Sequence, residues 1–130
     1  MDDKRIIGID YGTKRVGVAV SDPTGKLALP VDTLENTSDL VGKVMGLAQQ
    51  YGSKTVVLGE SMNYDGQPNA IYAAAALFKT NLESAGFNVI FEPEFMTSVQ
   101  AERLQGKNDM NDASAAALIL QSYMDKKNSE

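Results

Sequence analysis

The sequence contains no cysteine and no histidine. The first absence excludes disulfides, thiolate metal sites and cysteine nucleophiles. The second removes histidine-based triads, most zinc sites and the commonest general base. Chemistry must therefore rest on carboxylates, hydroxyls, lysine, tyrosine or a bound metal. Long apolar stretches are missing too. The longest, "IYAAAALF" and "AAALIL", fall far short of the ~20 residues that span a bilayer, so no membrane contact is expected. The leading "MDDKR" lacks an apolar segment, so no secretory signal is expected. Positive charge is scarce as well: 12 Lys and Arg stand against 17 Asp and Glu, a formal net charge of −5. Nucleic-acid binders usually show a basic balance or patch. Carboxylates gathered at one metal site would bias the sum the other way, so the sign urges caution without excluding such a partner.

What is present describes an ordinary globular chain. Its 130 residues are 43% hydrophobic and 22% charged, enough for one domain over 1–130 with a real core. Residues 5–11 and 15–21 read as strands rich in Ile and Val, joined by "GTK" at 12–14, with Gly12 free to take positive φ. A third strand is expected near 27–34, where Pro30 suggests an edge or a bulge. "NTSD" at 36–39 offers helix N-caps, and Leu40, Val44, Leu47 and Ala48 follow at helical spacing.

Residues 54–59 then form a short strand, and "ESMNYDGQPN" a polar loop with Asp65-Gly66 as a turn. A helix over about 69–84 carries Ile71, Ala74, Ala75, Phe78 and Leu82 on one face, with Gly86 at C′. Residues 87–92 give another strand, and a helix of about 97–105, capped by Thr97 or Ser98, follows. "GKNDMN" breaks the chain before a last helix to about 126. The order is β-β-β-α-β-α-β-α-α. A meander followed by two βα units predicts a mixed five-stranded α/β sheet with helices on its faces. Such sheets bind ligands at the carboxyl ends of their parallel strands.

Three acids fall in telling places. Asp10 is a lone carboxylate in the apolar run "IIGID", and by itself suits a turn as well as a ligand. Glu94 follows "FEP" at the end of the last strand, where a solvated loop acid is the simpler role. Asp112 opens the last helix, where a carboxylate caps N–H groups and favours the dipole. Together, two strand-end acids share the carboxyl edge if the strands are parallel, and the helix that starts with the third could pack across that edge. Such a trio would repel itself unless a cation bound it. Mg²⁺ suits oxygen ligands, and paired ions ~3.5–4 Å apart assist phosphodiester cleavage without histidine or cysteine.

"IGIDYGTKRVGVAVSD", "NYDG" (63–66), "EFMTSVQAER" (94–103) and "DASAAALILQSY" (112–123) resemble, in that order, the YqgF-type family. These are RuvC-like Holliday-junction resolvases, also described as pre-16S ribosomal RNA nucleases. The resemblance implies a ribonuclease-H-like fold, a cytoplasmic protein and Mg²⁺- or Mn²⁺-dependent cleavage of structured RNA or branched DNA. It carries the family's three acids onto Asp10, Glu94 and Asp112. A resolvase would be expected to dimerise, but the sequence leaves monomer or homodimer open.

The chain departs from the family in three places. Pro93-Glu94-Phe95 stands where Asp-Glu-Arg is usual, and phenylalanine cannot clamp a phosphate as arginine does. Glu60-Ser61 replaces Leu-Pro, which makes Glu60 either a fourth metal-facing acid or a loop charge. The loop before the last helix is short and offers only Lys107 as a cation. Lys14 and Arg15 are the first choice for phosphate contact, with Gly12, Thr13, Asn63 and Lys107 as further substrate contacts. Tyr11, Tyr64 and Phe95 suit packing better than base stacking, and Met45 and Met62 read as packing. Two other functions stay open: a nucleic-acid-binding module with lost catalysis, and a phosphotransferase of the actin-like or sugar-kinase type, whose first phosphate loop also resembles "GIDYGTKRVGVAVSD".

Overall fold

The computed structural model describes residues 5–62, 70–95 and 111–129, with backbone alone at 60–62, 70, 93–95 and 111. Three strands come first: β1 (Ile6–Tyr11), β2 (Arg15–Ser21) and β3 (Ala28–Glu35). Helix α1 (Leu40–Tyr51), β4 (Thr55–Met62), α2 (Ala70–Ser84), β5 (Asn88–Phe95) and α3 (Asn111–Asn128) follow. The sheet order is β3-β2-β1-β4-β5. β1, β2 and β3 pair antiparallel, while β1–β4 and β4–β5 pair parallel. This is the mixed α/β sheet that the alternation of patterns predicts. The helix expected at about 97–105 lies outside the described residues.

Alternation along the strands splits the core in two. Ile7, Ile9, Val56 and Leu58 point to the face covered by α1 and α2, where Val44, Phe78 and Leu82 meet them. Ala19 and Val57 point the other way, under Ala116, Ile119, Leu120 and Met124 of α3. Burying a side chain such as Leu120 contributes about 2–3 kcal/mol. Tyr11 packs on Phe78 with ring centroids 4.9 Å apart, the packing role expected of it. Met45 does not pack as expected; it is 46% exposed.

Both sequence signals at Pro30 hold. β3 is an edge strand, and its register with β2 shifts between Val18 and Ala19, opposite Asp32 and Pro30. Three local expectations change. β4 and β5 each run three residues past their expected ends, because they pair with one another through Glu60↔Pro93, Ser61↔Glu94 and Met62↔Phe95. Pro93 is tolerated because β5 is the other edge. Gly12 is not among the positive-φ glycines. Glycine is needed there because a Cβ would lie 2.4 Å from the Arg15 carbonyl oxygen. Asp39 stands at the N-cap of α1 without a side-chain cap bond. Its carboxylate instead accepts from the Thr37 hydroxyl, which holds its pKa below the ordinary value.

The β2–β3 turn hangs on Asp22. Its carboxylate accepts from the Thr24 hydroxyl at 2.8 Å and from the Lys26 and Leu27 amides at 2.9 and 3.2 Å. The Thr24 bond, followed by these amide bonds, lowers its pKa. A lowered folded pKa means that these bonds contribute stability above the unfolded-chain value near 3.8. The contribution is lost as pH falls through the lowered value. Amide exchange at Lys26 and Leu27 is therefore expected to accelerate in that acid window beyond its intrinsic trend, and Asp22→Asn to abolish the extra pH dependence.

Candidate active site at the carboxyl edge of the parallel strands

Asp10 lies near the end of β1, half-buried, directly across the antiparallel ladder from Gly17 of β2. Opposed residues share a sheet face, so the Asp10 side chain and the missing side chain of Gly17 are on one side. That side is filled by the start of α3. A Cβ built on Gly17 would stand 1.7 Å from the carbonyl oxygen of Asp112 and 2.9 Å from the Ala113 nitrogen. One on Gly8 would stand 2.6 Å from the Leu120 Cβ. The two glycines thus clear a trough in which α3 lies against the sheet, and buried Ala113 and Ala116 present its narrow side. The outcome brings the Asp112 backbone onto β2 one strand away from Asp10, at the same level of the ladder.

Arg15, the first residue of β2, completes this corner. Its Nε donates to Asp112 Oδ2 at 2.8 Å, with the arginine side chain 60% exposed and the aspartate 28%. Beside it, the β1–β2 turn is braced from a distance. The Asn36 side-chain amide donates to the Gly12 carbonyl at 2.7 Å, and the Asn36 backbone amide donates to the Lys14 carbonyl at 2.9 Å. Asn36 is therefore a brace for the turn and not a helix cap. Sequence reasoning missed this because an asparagine before a helix carries the capping signal whichever role it takes.

The other expected residues divide clearly. Thr13 and Lys14 are exposed in the turn beside Asp10. Glu94 occupies the β5 position opposite Ser61, and Glu60 the β4 position opposite Pro93. Their side chains lie outside the described residues, as do Asn63 and Lys107 entirely, with Tyr64 and the turn at Asp65-Gly66. Among the described residues no three carboxylates group as a metal site. Asp10 and the Asp112 backbone nevertheless lie on one face of the sheet at one level of the ladder, and both residues carry hard oxygen donors of the kind that fits Mg²⁺ or Mn²⁺, with no nitrogen or sulfur. A separate groove, lined by Gly42, Met45, Ser53, Lys54 and Phe87, lies at the amino ends of β4 and β5, away from these acids.

Sequence reasoning also missed Glu92. It is 4% exposed, accepts from the Ser122 hydroxyl at 3.0 Å and pairs with Lys126 at 2.6 Å, tying β5 to α3. A carboxylate at a strand end gave no sign of this in "FNVIFE". Lys126→Met is expected to cost about 1–2 kcal/mol by urea denaturation. That is less than the roughly 3–5 kcal/mol for breaking a fully buried pair, because the lysine side chain is 61% exposed.

The sheet order, with α3 laid across β1 and β2, defines the ribonuclease-H-like class of RuvC. RuvC from Thermus thermophilus shares this fold with a TM-score of 0.59 at 15% identity, covering 96% of each chain. Residues 4–126 match the model of the family RuvX, described as Holliday junction resolvase, and the chain belongs to this family. A protein of Acetivibrio thermocellus is 35% identical over 136 residues, covering 95% of this chain and 96% of its own. One from Sulfurihydrogenibium is 32% identical over 131 residues, covering 94% and 90%. Both carry the name "Putative pre-16S rRNA nuclease". Among the described residues no helix is long and apolar enough to cross a membrane.

Proposed function

We propose that the 130-residue chain works as one nuclease domain that hydrolyses phosphodiester bonds in structured nucleic acid, in the cytoplasm, with Mg²⁺ or Mn²⁺. Asp10, Glu94 and Asp112 are the ligands. The observation that carries the reading is the contact of Asp112 on Gly17, directly opposite Asp10. The register adds to it. Glu94 stands two residues beyond Glu92, whose side chain meets α3, and strand alternation assigns position 94 to that same face. Position 60 falls in phase with Leu58, which packs toward α1 and α2, and this phase favours a loop-type charge over a fourth ligand for Glu60.

When bound, the metal supplies Lewis-acid stabilisation and a water of lowered pKa. The chain's own residues do the rest. Asp10 and Asp112 hold anionic oxygens at fixed separation from rigid elements. The positive end of the α3 dipole favours negative charge at the same place. Lys14, Arg15 and the Thr13 hydroxyl stand on the exposed turn where a phosphodiester backbone would pass. The family description and the relatives' names point to two substrates, a Holliday junction and precursor 16S rRNA. Both should be incubated with purified protein and Mn²⁺. Cleavage of at least one, abolished by chelation, is expected; no cleavage of either, or cleavage that persists in chelator, refutes the reading.

A further inference from the structure

The Arg15–Asp112 pair sets a problem for the site. Nε of Arg15 lies 2.8 Å from the very carboxylate proposed to receive a divalent ion. A guanidinium stays charged at any ordinary pH. Two cations held on one carboxylate repel strongly at such separations in the partly screened environment of a protein surface. The aspartate is the more fixed partner: it is 28% exposed, and its backbone is wedged on Gly17. Arg15 is 60% exposed, at the strand end adjoining the exposed Thr13–Lys14 turn. The arginine is therefore the more solvent-exposed partner of the pair. Its planar fork is also the side chain best matched to phosphate.

We propose that Arg15 is an exchanging counter-ion. Without metal it neutralises Asp112. When metal takes that carboxylate, Arg15 turns to a phosphate of the nucleic-acid backbone, so metal loading and substrate grip are coupled through one side chain. Arg15 acts on Asp112 before metal arrives and contacts substrate afterwards. The inference rests on the proposed ligand role of Asp112.

The test combines two titrations on folded protein, with thermal denaturation to check folding. Calorimetry follows Mn²⁺ binding to wild type, Arg15→Gln, Arg15→Lys and Asp10→Asn. Anisotropy then follows binding of a four-way DNA junction and a precursor rRNA fragment over a salt series, in Ca²⁺. Arg15→Gln is expected to bind Mn²⁺ roughly 3- to 10-fold more tightly, because a competing charge is gone. The same variant should bind nucleic acid roughly 10-fold more weakly, with a salt slope smaller by about one. Arg15→Lys keeps the charge and should return both values most of the way to wild type.

A merely structural arginine would weaken both affinities in Arg15→Gln and lower the melting temperature. Unchanged or weaker Mn²⁺ binding by Arg15→Gln, or unchanged nucleic-acid binding, overturns the proposal. The Asp10→Asn arm separates the two readings. If it binds Mn²⁺ as wild type does, the metal site itself is misassigned and both readings fall. If it loses Mn²⁺ while Arg15→Gln matches wild type, the exchange alone is wrong. In the wild type, the Arg15 Nε–H resonance should shift as Mg²⁺ is added and saturate with binding; a resonance that stays put contradicts the exchange without any mutation.

Discussion

Asp10→Asn is expected to lower the cleavage rate by about 10³-fold or more while leaving the melting temperature within a few degrees of wild type. The change removes one anionic oxygen from the end of β1 and keeps the shape of the side chain. Asp10 is half-buried and sits at a strand end, so the amide retains hydrogen-bonding capacity there. What it loses is charge. A divalent ion prefers anionic oxygen, and the neighbouring Asp112 cannot supply a second negative charge on its own. Asp112→Asn should give a similar loss and also release the Arg15 ion pair. Single-turnover cleavage of the preferred substrate at saturating Mn²⁺ measures both. Retained cleavage in either variant would remove that residue from the site.

The largest effect on stability is expected away from the carboxylates, at Gly17. A Cβ there would stand 1.7 Å from the Asp112 carbonyl oxygen and 2.2 Å from its carbon, both backbone atoms of α3. No rotamer relieves a backbone collision, so the helix must lift from the sheet. Lifting it uncovers Ala19 and Val57 on the sheet and Ala116, Ile119 and Leu120 on the helix. Gly17→Val is expected to destabilise the fold by about 3 kcal/mol or more, seen as a lower urea midpoint. Gly17→Ala should lie between. Cleavage should fall in both before the fold is lost, because the displaced helix takes Asp112 away from Asp10. A Gly17→Ala variant with full activity would mean that the two acids are not held together through this contact.

Much of this was legible in the sequence because it depends on local periodicity. Period-two runs of Ile and Val marked β1 and β2, and helical spacing of Leu40, Val44 and Ala48 marked the buried side of α1. The order of elements was enough to require antiparallel pairing first and parallel pairing later. What escaped was non-local. The last three residues of β4 and β5 hold strand form only against one another, and a polar stretch with a proline gives no hint of that partnership. Arg15 and Asp112 are separated by 97 positions in the chain, and Glu92 and Ser122 by 30. Gly17 read as an ordinary residue of a strand, since nothing in "RVGVAV" shows that a helix from the far end of the chain will lie on it. The acids themselves were legible as candidates because charge in an apolar run is conspicuous. Which ends share an edge depended on topology, which puts the carboxyl ends of β1 and β5 on one side of the sheet and the start of α3 against β2 beside them.

The most direct measurement is a crystal structure of the protein soaked in Mn²⁺, with anomalous difference density collected for the metal. The proposed site predicts a peak at the Asp10 and Asp112 carboxylates, which together with Glu94 would hold the ion, and Arg15 withdrawn from Asp112. A map with full metal occupancy elsewhere and none between Asp10 and Asp112 would contradict it.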